Sequence, residues 1–167
     1  GSIRRGLVYL DDRDGNTLYA FSLLVAARYL GRSDPLIGPA PEREDWVRLG
    51  DTTVPALESR DGGYAGVDTS GYQYLLDYRG MPAKFIEFTL SDLLDGRIDA
   101  AAIEGKMVLF GASAVSLNDF FNTAFDKGDD AATRMPGVVL QAHAASQLLR
   151  ITLGESRPIG ALTDLWG

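Results

Sequence analysis

At 167 residues, 46% hydrophobic and 23% charged, the chain suits one compact domain with a real core and leaves little room for a second. A net charge of −7 and an isoelectric point near 4.6 set up a surface field that repels phosphate backbones, which argues against nucleic acid as a partner. The absence of cysteine removes disulfides, thiolate catalysis and zinc-thiolate sites together, and a single histidine leaves transition-metal ligand sets hard to assemble, so neither metal nor cofactor is expected.

The start, "GSIRRGLVYL", has neither the length nor the apolar core of a signal peptide, and no stretch approaches the roughly 20 apolar residues that span a bilayer. Gly1 and Ser2 read as a remnant of tag cleavage. The expected unit is therefore a single domain over residues 3–167, cut from a longer protein.

A short apolar strand in "RRGLVYL" leads into the polar turn "DDRDGN", which contains Asp14-Gly15. Acidic residues alternating before a glycine invite a calcium reading. With Gly15 at the sixth loop position, however, Leu10 would be the first ligand and Phe21 the twelfth, where a carboxylate is required, so a hairpin turn is expected instead. Phe21–Leu30 follows as a mostly buried helix ended by Gly31. Residues 32–71, broken by Pro35, Pro39, Pro41 and Pro55, are limited to short strands and turns such as "WVRLG" and "TTVPAL".

Tyr72–Tyr78 is a strand candidate. "KFIEFTLSDLLDG" reads as a short strand entering a helix capped by Thr89 or Ser91 and ended by Gly96. "IDAAAIEGKMVLFGASA" reads as a helical turn followed by the most apolar strand. In "MPGVVLQAHAASQLLR", Gly137–Leu140 suits a strand and the Ala-rich remainder a helix. Two apolar strands separated by crossover segments predict an α/β fold with a mixed, partly parallel sheet and flanking helices.

The loop after Phe110 holds Ser113, Ser116 and Asp119. Gly111-Ala112-Ser113-Ala114-Val115 lacks the second glycine of a nucleophile elbow. The order Ser113, Asp119 or Asp126, then His143 imitates a hydrolase triad at too compressed a spacing, so capping or turn roles are expected for Ser113 and Ser116. No phosphate-loop motif occurs there; a backbone nest for some anion or carboxylate stays open. His143 is expected to pack with a hydrogen bond to a loop carbonyl or to Asp119, and Arg79 and Arg134 to pair with nearby carboxylates.

Taken in order, "DDRDGNTLYAFSLL", "LLDYRG", "FTLSDLLDG", "EGKMVLFGASAVSLNDFFNTAF" and "MPGVVLQAHAASQLL" resemble the second class of CHASE domains, the sensory extracellular modules associated with cyclases and histidine kinases. The resemblance covers nearly the whole chain. It implies a bacterial receptor input domain outside the inner membrane, placed between a preceding transmembrane helix and a following group, with "LWG" close to where the membrane begins. It further implies a cyclase or protein kinase output, an early helix missing from the N-terminal portion, a homodimer, and a small ligand or periplasmic protein as the signal. The positions carried over are Gly111, Asn118, Asp119, Phe120, Pro136, Gly137 and His143. With Ser113, the candidate ligand-binding set is Gly111, Ser113, Asn118, Asp119, Phe120 and His143. A signal bound between Gly111 and Thr123 would move the C-terminal segment that leads to the membrane. The competing readings are an interaction or dimerisation scaffold and an esterase-like hydrolase.

Overall fold

The structure is a computed structural model that describes residues 1–64, 66–79, 85–125 and 134–160. Strand β1 (Arg5–Asp11) turns through residues 12–16 into β2 (Thr17–Tyr19), the hairpin expected of "DDRDGN". The turn is held by the Asp12 carboxylate, which accepts hydrogen bonds from the backbone N–H groups of Asp14 and Asn16 at 2.9 and 2.8 Å. Helix α1 (Phe21–Tyr29) follows. It ends with Gly31 at φ 70°, where the Gly31 N–H bonds the Arg28 carbonyl and the Arg32 N–H bonds that of Ala27, satisfying carbonyls the last turn leaves free.

Strands β3 (Ile37–Pro39), β4 (Val47–Leu49) and β5 (Thr52–Val54) form an antiparallel meander, with "WVRLG" and "TTVPAL" in the strands expected of them. Strand β6 (Tyr72–Leu75) returns to pair antiparallel with β1, so the first sheet has the order β2-β1-β6. Helix α2 (Leu90–Leu94) opens on a capping box in which the Thr89 side chain accepts from the Asp92 N–H and the Asp92 carboxylate accepts from the Thr89 N–H. Helix α3 (Ala100–Ile103) is a single turn capped by Asp99. The two-residue strands β7 (Phe120–Phe121) and β8 (Met135–Pro136) pair just before helix α4 (Gly137–Thr152).

The main core gathers Val8, Leu23, Ala26, Leu49, Val54, Tyr72, Leu148 and Ile151 where the two three-stranded sheets meet α1 and the C-terminal half of α4. Alanines on the buried faces of both helices allow α1 and α4 to approach closely. Tyr72 ties the sheets together, its hydroxyl donating to the Val54 carbonyl and accepting from the Val47 N–H at 2.8 Å. A second cluster, Met135, Val139 and Leu140 with Ile3, Leu76, Tyr78 and Phe85, covers the N-terminal half of α4.

The expectation of a partly parallel sheet is corrected. Among the described residues every ladder is antiparallel. Both segments assigned to parallel strands do something else. Gly137–Leu140 forms the first turn of α4, because the buried positions Leu140, His143, Ala144, Gln147, Leu148 and Ile151 keep one helical period back to Val139. Residues 107–110 enter no ladder, and Val108 and Phe110 are 50% and 73% exposed. Residues 86–89, expected as a strand, also lack a ladder, and the Tyr72–Tyr78 strand stops at Leu75. The end of "LLDYRG", Asp126 and "LWG" lie outside the described residues. Among the described residues no helix is long and apolar enough to cross a membrane.

Candidate functional site

The β7–β8 pair sets Phe120 opposite Pro136 and so brings Asp119 against the first residue of α4. The Gly137 N–H donates to the Asp119 backbone carbonyl at 2.9 Å. A Cβ at Gly137 would lie 2.5 Å from both Asp119 carboxylate oxygens, so only glycine lets the side chain approach the helix start this closely. The position is favourable for a carboxylate, since the unpaired N–H groups of the first helical turn carry partial positive charge. Gly111 makes an equally close approach from the other side, where an added Cβ would stand 2.3 Å from the Val138 Cβ.

A cavity of about 330 Å³ opens at this junction, with Gly111, Asp119 and Gly137 in its wall beside Phe21, Phe110 and Phe121. Aromatic walls with one acidic group match the general make-up of small-ligand clefts. Of the six residues singled out in the sequence, Gly111 and Asp119 line the cavity. Phe120 is next to it in β7, and Asn118 precedes Asp119 in the left-handed region at φ 52°, which Asn tolerates. Ser113 sits exposed in the loop. His143 is not in the cavity wall; it lies ~9 Å further along the α4 axis at 1.5 Å per residue.

His143 is 2% exposed, and among the described residues neither ring nitrogen has a hydrogen-bond partner. The expected bond to a loop carbonyl or to Asp119 is therefore corrected. Its ring instead makes T-shaped contacts with Tyr78 and Phe85, at centroid distances of 5.4 and 4.9 Å. Burial pushes its pKa below the ordinary value, Arg150 and Arg79 push the same way, and Asp77 opposes them. One face of α4, at the spacing His143, Gln147, Arg150, lies toward the segment that follows β6. Gln147 Nε2 donates to the Leu75 carbonyl at 3.0 Å, its Oε1 accepts from the Asp77 N–H at 2.9 Å, and Arg150 reaches Asp77 at 3.5 Å. Neither Tyr78, Phe85 nor Gln147 stood out as a site residue in the sequence, although the i, i+4, i+7 spacing of polar residues in an apolar helix marks such a face. Among the described residues neither Arg79 nor Arg134 forms an ion pair, against expectation, and the Asp77 carboxylate nearest to Arg79 in sequence is engaged by Arg150.

A serine hydrolase needs its serine hydroxyl within reach of the imidazole. Exposed Ser113 and buried, unbonded His143 do not form such a pair. Among the described residues no three His, Asp or Glu side chains come together as a metal site.

The CHASE2 domain family matches residues 1–167, the whole chain. This chain is a CHASE2 domain. The family is one of extracellular sensory domains found in receptors with cyclase or kinase outputs, a non-catalytic role. No curated protein and no solved structure matches the chain.

Proposed function

We propose that this CHASE2 domain is the extracytoplasmic input module of a membrane-anchored bacterial receptor, relaying a signal to a cyclase or protein kinase output. Membership of the family along the whole chain is the observation that carries the reading. The site proposed for the signal is the cavity at the start of α4, where Gly111, Asp119 and Gly137 converge. A small molecule seated there would press on a helix of 16 residues, ~24 Å long, whose far half is locked into the main core. Rigid displacement of α4 then reaches the chain beyond it, where Ile159 bridges back to β6 at Leu75. Such a ligand shifts the receptor only through different affinities for the two arrangements.

Native mass spectrometry of the purified domain tests the site. The expected result is an excess mass that disappears on denaturation and is absent from a folded Gly137→Ala variant, in which the new methyl drives Asp119 off the helix start. In the full receptor, Asp119→Ala is expected to alter output activity. A bare chain in the native spectrum, with signalling unchanged by Asp119→Ala, would remove the cavity from the account.

Self-association is the second reading, favoured by the apolar side chains of Ile86, Leu94 and Phe110, which are exposed at 67%, 76% and 73%. It predicts a bare dimer in the same spectrum.

A further inference from the structure

We propose that the packing of α4 against Tyr78 and Phe85 is an acid-released latch, opened by protonation of His143. The inference concerns the domain alone and does not depend on which signal the receptor reads. His143 is the only histidine in the chain. It is 2% exposed, and among the described residues neither ring nitrogen has a hydrogen-bond partner. The ring is T-shaped to both Tyr78 and Phe85, with interplanar angles of 69° and 74°. Tyr78 in turn packs its ring on Phe125 at 5.8 Å and donates its hydroxyl to the Ile3 carbonyl at 2.9 Å.

Among the described residues, the charged groups acting on the imidazole are Arg150 on its own helix, and Arg79 and Asp77 on the segment after β6. The one carboxylate of this set is already engaged by Arg150 at 3.5 Å. An imidazolium would be a further positive charge beside two guanidinium groups, with two N–H donors and, among the described residues, no hydrogen-bond acceptor paired with either. A buried charge without a partner is strongly unfavourable, so protonation selects an arrangement in which the ring meets water.

The extent of the opening is bounded by the next turn of α4. Gln147 holds Leu75 and Asp77 through two hydrogen bonds that carry no titrating group. Acid therefore frees the Ile3, Tyr78 and Phe85 side of the second cluster and leaves the main core closed. The freed surface is the flank of α4 nearest its first turn.

The closed form takes up the His143 proton only below the ordinary value of about 6.5, because burial and the Arg150 and Arg79 charges disfavour the imidazolium, whereas the open form takes it up near that value. Proton uptake thus accompanies opening, and the opening equilibrium rises by up to about tenfold per pH unit as the pH falls below about 6.5. Above that pH neither form binds the proton, and the opening equilibrium no longer changes with pH.

The test uses the wild-type chain between pH 7.5 and 5.5, above the range of ordinary carboxylates. Its single histidine gives one set of imidazole proton NMR signals, which are followed together with near-ultraviolet circular dichroism from the aromatic rings. The expected result is one transition in both, with a midpoint below 6.5 and the far-ultraviolet helix signal retained. His143→Phe, which fills the aromatic cage without taking up a proton, is expected to lose the near-ultraviolet transition; His143→Gln serves if the phenylalanine variant does not fold. An imidazole titrating at about 6.5 with no aromatic change, or a variant that keeps the full transition, overturns the proposal.

Discussion

Replacing Tyr72 by Phe removes one oxygen from the point where the two sheets meet. The ring is 5% exposed and stacks on Tyr9 at 5.4 Å and 25°, and both features survive the change. The hydroxyl's two bonds, from the Val47 N–H and to the Val54 carbonyl, do not. Val47 and Val54 are themselves 8% and 0% exposed, so the abandoned backbone groups gain no water in exchange. At about 1 kcal/mol net for each bond, rising when the partner stays buried, the loss is about 2–3 kcal/mol. For a chain of this length that corresponds to a fall in Tm of roughly 5–10 °C. Urea denaturation of Tyr72→Phe beside the wild type measures it, with the m-value expected to stay constant because the exposed area is the same. A loss under about 0.5 kcal/mol would show that the hydroxyl does not tie the sheets together, and the packing of the second sheet would then rest on apolar side chains such as Val47, Leu49 and Val54.

Alkaline pH probes the same group, because burial raises the Tyr72 pKa to about 12 and raises that of Tyr74 as well. The unfolded chain loses these protons near pH 10 while the folded one keeps them, so stability is complete below pH 10 and declines above it; equilibrium denaturation at pH 9 and 11 is expected to show a smaller decline in Tyr72→Phe. Gln147→Leu leaves the Leu75 carbonyl and the Asp77 N–H without their side-chain partner, at an expected loss of about 2–4 kcal/mol in the same assay. Gly50→Ala places a methyl 2.2 Å from the Thr152 carbonyl oxygen and forces an L-residue to φ 58°, which is expected to lower stability by about 2–4 kcal/mol by prising the β4–β5 turn from the end of α4.

Much of the local structure is legible in the residues, and for one reason. Where a turn, a cap or a helix end is satisfied by groups within a few positions, its chemistry is written in adjacent letters. Asp12 through Asn16 close the first hairpin, Thr89 and Asp92 cap α2, and Gly31 and Gly96 end their helices with left-handed residues at φ 70° and 67°. The order of such segments also carries the family resemblance, which the match over residues 1–167 bears out.

Short apolar runs are a different case. "KMVLF" and "GVVL" have the same composition as a buried strand or a buried helical turn, and four or five residues are too few for period to decide. The helix claims the second because nine buried positions continue one period to Ile151, while the first stays outside every ladder among the described residues. The site divides in the same way. Asp119 and Gly111 could be singled out from the sequence, but their meeting at Gly137 depends on the β7–β8 pair, which joins Phe120 to Pro136 and Phe121 to Met135, residues 16 and 14 positions apart. His143 could be expected to pack, yet its aromatic neighbours Tyr78 and Phe85 lie 65 and 58 residues earlier in the chain. From its residues alone the chain determined its turns, its caps, its acidic character and its family; the partners of its apolar segments and of its one histidine were decided by tertiary packing, because burial is a property of what the rest of the chain brings alongside.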